Sequence, residues 1–104
     1  MTYKKWNMQY EVTDLKKYGI NNIAFDLPSA VSYMLEAVNN GLLILGGDII
    51  VVDHGKFIES DDNWYSNQTS PMATMQDALN YLCSYWKNCN IRNSSWYITI
   101  ILSE

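Results

Sequence analysis

Ile49-Ile50-Val51-Val52 is an unbroken β-branched run, set between a Gly46-Gly47-Asp48 entrance and an Asp53-His54-Gly55-Lys56 turn. Branching at Cβ restricts χ1 and favours extended backbone, and four residues are too few for a helix of their own. The run therefore predicts a strand covered on both faces, or one lying beneath a helix. His54-Gly55 is a candidate two-residue hairpin loop, after which Lys56 to Glu59 returns as a second strand. A hairpin over about residues 47–60 follows. Its exit is acidic and then aromatic, running from Glu59 through Asp61 and Asp62 to Asn63-Trp64-Tyr65.

The elements around this hairpin follow from spacing. Leu27, Ala30, Val31, Met34, Leu35 and Val38 recur at three and four residues and predict a helix over about 27–40. Asp26 can cap it, Pro28 is harmless in the first turn, and Gly41 supplies a left-handed stop. Met75, Ala78, Leu79, Leu82, Cys83 and Trp86 predict a second helix over about 74–88, opened by Thr74 after a polar loop that contains Pro71. Residues 96–102 alternate Trp96, Ile98, Ile100 and Leu102 with Tyr97, Thr99 and Ile101. Both faces are apolar enough for a central strand. Residues 1–12 alternate weakly, as an extended arm or poor edge strand. Asp14 to Tyr18 reads as one or two helical turns stopped by Gly19, and Ile20 to Phe25 as a connector. The expected fold is α+β: one domain over 1–104, with a small mainly antiparallel sheet (hairpin about 47–60, strand about 96–102) and both helices packed on it.

Charge narrows the partners. Seven basic residues against eleven acidic ones give a net charge of −4. Nucleic-acid binding rests on Lys and Arg neutralising phosphates, so it is not expected, and neither is docking on an anionic membrane. A basic protein partner suits this balance. The N-terminus lacks an apolar signal core and no run is long enough to span a bilayer, which places the expected protein in the cytoplasm. Cys83 and Cys89 are expected as reduced thiols, with Cys83 on a core stripe.

The polar residues around the hairpin do not assemble a catalytic set. Asp48, Asp53, His54, Glu59, Asp61 and Asp62 could be drawn as a metal site, but their spacing fits no EF-hand and His54 has no second histidine. As a general base His54 would need a nucleophile and an orienting acid, whereas its neighbours are turn residues. Gly46-Gly47-Asp48 leads into a strand rather than a helix, which suits close packing better than anion binding. No cofactor, metal or catalytic residue is expected. Trp64 has two readings: a lid over the core, or with Tyr65 an exposed binding anchor.

Leu45-Gly46-Gly47-Asp48, Gly55-Lys56, Asp62-Asn63-Trp64-Tyr65 and the helix opened by Thr74, with Ala78 and Tyr81, together resemble the Immunity protein 40 family. This is a family of bacterial immunity proteins that accompany polymorphic toxins and contact-dependent growth-inhibition effectors. The resemblance implies a non-enzymatic cytosolic protein that occludes a cognate toxin domain, often a nuclease. The short hairpin strand and the alternating N-terminus leave edges able to pair between chains, so a monomer or weak homodimer is expected. Asp53, His54, Glu59, Asp61, Asp62 and Tyr65 are the expected toxin contacts. The competing reading is a small accessory or scaffold domain that binds another host protein.

Overall fold

A computed structural model describes residues 1–16, 22–53, 56–58, 62–88 and 94–103. Among these residues the chain forms strands β1 (Thr2–Lys5), β2 (Met8–Asp14) and β3 (Ile23–Phe25), then helix α1 (Leu27–Asn39). Strands β4 (Ile44–Asp53), β5 (Lys56–Ile58) and β6 (Asn63–Tyr65) follow, then helix α2 (Pro71–Asn88) and strand β7 (Ser94–Leu102). The strands make one antiparallel sheet in the order β1-β2-β3-β7-β4, with β5 and β6 sharing the far edge of β4. This is the α+β fold read from the sequence, with a larger sheet.

The last strand is central, as its two apolar faces require. It pairs with β3 through Phe25 opposite Ile98, and with β4 from Ile44 opposite Leu102 to Asp53 opposite Ser94. Ile49, Val51 and Ile98 project toward the helices and join Met34, Ala30, Ala78 and Leu82 in the main core. The opposite face carries a smaller cluster of Leu15, Ala24 and Ile50, with Tyr97 against it.

Helix α1 closes as its sequence predicts. Asp26 accepts a hydrogen bond from the Ser29 amide at 2.9 Å. Gly41, at φ +78°, donates to the Val38 carbonyl while Leu42 donates to that of Ala37, the paired bonds of a Schellman ending. Helix α2 starts earlier than expected. Ser70 caps it, its Oγ accepting from the Ala73 amide at 3.3 Å, and Pro71 occupies the first turn rather than the preceding loop. Thr74 has a different job from opening the helix. Its buried hydroxyl donates to the Pro71 carbonyl and accepts from the Ile44 amide at 2.9 Å, tying α2 to the start of β4.

Three further expectations are corrected. Residues 1–14 form a full hairpin, β1 with β2, whose turn places Trp6 and Asn7 at φ 53° and 62°. That left-handed pair is the geometry of a tight two-residue loop, here without the glycine that would have announced it. The Trp6 ring lies 5.3 Å from that of Tyr33, with the Lys5 ammonium 4.8 Å above it, which offsets the backbone conformation. Asp14 ends β2 and its Oδ1 accepts from the Lys16 amide at 2.9 Å, where a 3₁₀ turn begins; residues 17–21 of that expected turn lie outside the described residues. Ile23–Phe25 is a strand rather than a connector. Finally, the return arm of the central hairpin is two short strands: β5 pairs with residues 51–53 of β4, and β6 with residues 46–48.

Aromatic rings fill the two flanks of the core. Tyr33 stacks on Phe25 at 4.5 Å and meets Tyr10 edge-on at 5.3 Å. Burial pushes the Tyr33 hydroxyl up to about 12, helped by the neighbouring Tyr3, with which it is hydrogen-bonded, and by Tyr10. On the other flank Trp64, Tyr81, Tyr85 and Trp96 follow one another along α2.

Gly47 sits where this second flank meets the sheet. A Cβ there would collide with the Thr99 carbonyl and come within 2.5 Å of the Trp64 ring. Gly41 has only its backbone angle to satisfy, with open space around it. Gly47→Ala should therefore lower stability by about 2–3 kcal/mol. Gly41→Ala should cost about 1–2 kcal/mol. Urea denaturation of the two variants checks the order.

Tyr33 generates a pH dependence. Below its ordinary value of 10.0 the group is neutral folded or unfolded, and its contribution to stability is complete. Between 10.0 and about 12 the unfolded tyrosine ionises while the folded one keeps its proton, so stability falls as pH rises through that window. Tyr33→Phe should flatten this part of the profile, measured as urea midpoints across alkaline pH.

Candidate functional site

Register decides which side chains of the Asn63-Trp64-Tyr65 strand face solvent. Trp64 lies opposite Gly47, is 6% exposed, and stacks on Tyr81 of α2 at 5.4 Å. It is the core lid, and the exposed-anchor alternative for this residue is discarded. Alternation along β6 then sends Asn63 and Tyr65 to the face of the sheet away from the helices. Asn63 is opposite Asp48, and Tyr65, 77% exposed, is opposite Gly46.

Asp48 belongs to the same face. Its amide donates to Thr99 Oγ1 at 3.2 Å, and that hydroxyl donates to Asp48 Oδ2 at 3.4 Å, so the carboxylate is tethered across the strands while remaining exposed. Asp62, also exposed, immediately precedes β6, and its carbonyl accepts the Ile49 amide at 2.9 Å. The charges of both acids reach the Tyr81 hydroxyl on α2. Burial raises the pKa of Tyr81, and the negative charges of Asp62 and then Asp48 raise it further.

Of the six residues read from the sequence as contacts, the structure brings Asp62 and Tyr65 onto one short segment. Asp53 lies at the other end of β4, opposite Lys56 and half-buried, about 17 Å along the strand from Asp48. His54, Glu59 and Asp61 lie outside the described residues. The sequence reading did not count Asp48 among the contacts. Its place beside Asn63 and Tyr65 depends on how β6 pairs with β4, for which the Gly-Gly pair opposite Trp64-Tyr65 was the available signal.

The remaining chemistry-bearing residues are dispersed. Cys83, expected on the core stripe, is exposed on α2. So are Leu35 of α1 and Trp86, the buried arc of α2 being Met75, Ala78 and Leu82. Cys83 and Trp86 instead border an apolar groove of about 220 Å³ that α2 forms with Leu27 and Val31 of α1. Among the described residues no three His, Cys, Asp or Glu side chains group as metal ligands, and no helix is long and apolar enough to cross a membrane. The exposed end of the sheet thus carries a carboxylate, an amide and a phenol on one face, with the exposed Asp62 just before β6, groups suited to accepting hydrogen bonds from cationic donors.

Comparison with known proteins agrees with the motifs. The model of the family described as Immunity protein 40 matches residues 14–102, from the end of β2 to the end of β7. No curated protein and no solved structure matches the chain significantly.

The electrostatic link between α2 and the patch can be read directly. Removing a negative charge near a phenol favours its ionisation, so Asp62→Asn should lower the pKa of Tyr81, and Asp48→Asn should lower it less. NMR titration of tyrosine ring carbons measures both.

Proposed function

The chain belongs to the Immunity protein 40 family, and from that membership we propose that it binds a cognate bacterial toxin domain and neutralises it by stoichiometric occlusion, performing no chemistry of its own. The family match carries this reading. The exposed sheet end supports it in detail: Asp48 shares the face of Tyr65, and exposed Asp62 immediately precedes the strand that carries Tyr65, on a protein of net charge −4. A toxin with a basic working surface, such as a nuclease, would be drawn to that end at long range and held by the phenol and carboxylates at contact. Tyrosine is suited to such a role because it offers a large rigid ring at little entropic cost.

The proposed contact surface centres on Asp62 and Tyr65, with Asp48 and Asn63 added from the strand register. Glu59 and Asp61 adjoin it in sequence, whereas Asp53, opposite Lys56 at the other end of β4, falls outside it. The complex would form in the cytoplasm, one chain to one toxin domain.

Reversing charge at Asp61 and Asp62 together (Asp61→Lys with Asp62→Lys) should weaken toxin binding at least about tenfold at low salt, with a smaller difference at high salt. Titration calorimetry against the toxin domain encoded beside this chain measures the loss, and survival of toxin-expressing cells reports whether neutralisation fails with it. Unchanged affinity in the double variant would remove the acidic edge from the interface. Failure of the unsubstituted protein to protect would remove the immunity reading itself.

A further inference from the structure

Helices α1 and α2 lie side by side on the sheet and run antiparallel. The Ile44 amide, shortly after the end of α1, bonds Thr74 in the first turn of α2, and Leu27 at the start of α1 lines a groove with Trp86 and Lys87 at the end of α2. The surface they turn away from the sheet is apolar. Leu35, Met72 and Trp86 are 44%, 61% and 61% exposed, with the half-buried Val31 and Leu79 between them. It is also nearly free of charge, since the two helices carry only Glu36, Asp77 and Lys87. Glu36 acts on Tyr10, on the flank of the amino-terminal hairpin, and Asp77 accepts from the Ser66 hydroxyl on the opposite flank. Among the described residues Lys87 is thus the one charged side chain of this face, where about a quarter to a third is usual for a soluble surface. Exposed Trp and Met without charges is the composition of an interface core.

We propose that a second copy of this chain covers the face, related by a two-fold axis normal to the helices, so that Leu35 of each copy enters the groove of the other. The face is self-complementary in the way such an axis requires. Its groove, of about 220 Å³, lies where α1 begins and α2 finishes, and the protruding Leu35 and Met72 lie toward the other end. The same rotation brings Lys87 of each copy to the end of the other's α1, whose last turn has no basic residue to offset its carbonyls. Charge also selects the occupant. Two chains of net charge −4 meet with least repulsion through a surface without acids, whereas a basic toxin gains nothing from a face whose one charge is positive. Size sets the strength. From Met72 to Trp86 α2 spans about 21 Å, and two helices abreast are about 20 Å wide, a footprint of roughly 400 Å² per copy. That is about half of the ~800 Å² that each partner contributes to a standard interface, so the dimer is weak and dissociates in the micromolar range. It leaves Asp48 and Tyr65, on the other side of the sheet, open in both copies, and so does not rest on the toxin-binding reading.

Sedimentation velocity from low micromolar to near-millimolar protein should show a one-chain species converting to a two-chain species, with little change when salt is raised. Leu35→Lys and Trp86→Ala should each raise the dissociation constant at least about tenfold, while unchanged circular dichroism shows that both variants are folded. Orientation is read by disulfide formation in a Cys83→Ser, Cys89→Ser background. There the Met72→Cys variant mixed with the Lys87→Cys variant should form mixed disulfide dimers faster than either variant alone forms its own. A one-chain species at every concentration, a dimer unaltered by both substitutions, or mixed disulfides no faster than like pairs would each overturn the assignment. So would a dimer lost with Lys4→Pro but kept with Leu35→Lys, which places the contact at the β1 edge. A chain that stays monomeric yet loses affinity for the neighbouring toxin domain with Trp86→Ala gives the face to the toxin and also overturns it. Protection of toxin-expressing cells is scored separately with the unsubstituted protein. Protection by a chain that never dimerises sinks the dimer alone, whereas a dimer that does not protect sinks the immunity reading alone.

Discussion

Pairing of β4 with β7 along their whole length, from Ile44 opposite Leu102 to Asp53 opposite Ser94, joins the two halves of the sheet. Within the sheet, strands β1 to β3 connect to β4 through β7, and β5 and β6 are joined to the other strands through β4. The pairing is distant in sequence, so the chain must close a long loop before the first of its bonds forms. Helix α2 lies inside that loop. The bond from the Ile44 amide to Thr74 Oγ1 fixes the helix to the beginning of β4, and Leu82 and Ala78 pack on the face that Ile49 and Ile98 present. Covering the helix-side face and aligning the ladder are thus one event rather than two.

The parts legible in the sequence were those with strong local chemistry. Helix α1 is bounded by an aspartate cap and a glycine stop, and the structure ends it within a residue of where they point. The central position of β7 was visible because apolar residues occupy both of its faces. Less was legible where tertiary context overrides local signals. Trp6-Asn7 makes a left-handed turn that neither residue advertises, held by ring packing on Tyr33, which is far away in sequence. Ile23–Phe25 is only three residues long and looks like a connector until β2 and β7 are placed on either side of it. Cys83 and Trp86 share the helical period of the core residues of α2. The two-helix geometry leaves them at the margin of a groove, because periodicity alone does not say how wide an arc is covered.

The proposed contact surface was legible in composition but not in arrangement. Acidic residues near Trp64 and Tyr65 could be seen in order along the chain, yet a strand divides its neighbours between two faces. Trp64 went to the core and Tyr65 to solvent on that rule alone. Asp48, distant in sequence from Tyr65, joined the exposed side through register, while Asp53 on the same strand was carried away from it. A reading by proximity in sequence groups Asp53 with Asp48; the pairing of β6 separates them.

The adjacent glycines show how one constraint serves two faces. Gly47 must lack a side chain so that the Trp64 ring can close over the helix side of the sheet. Gly46 must lack one because β6 approaches too closely for a Cβ, and the approach is the same one that delivers Trp64 to Tyr81. A pair of residues required for close packing therefore fixes how β6 lies against β4, and with it which side chains of β6 reach the opposite surface. The flanking side chains are free of that requirement: Tyr65 and Ile101 are exposed, and changing them disturbs little of the core. Substitution at Tyr65 or Ile101 can thus change the exposed surface while the glycines hold the fold, because the constraint acts on the backbone of β4 and β6 and not on those side chains.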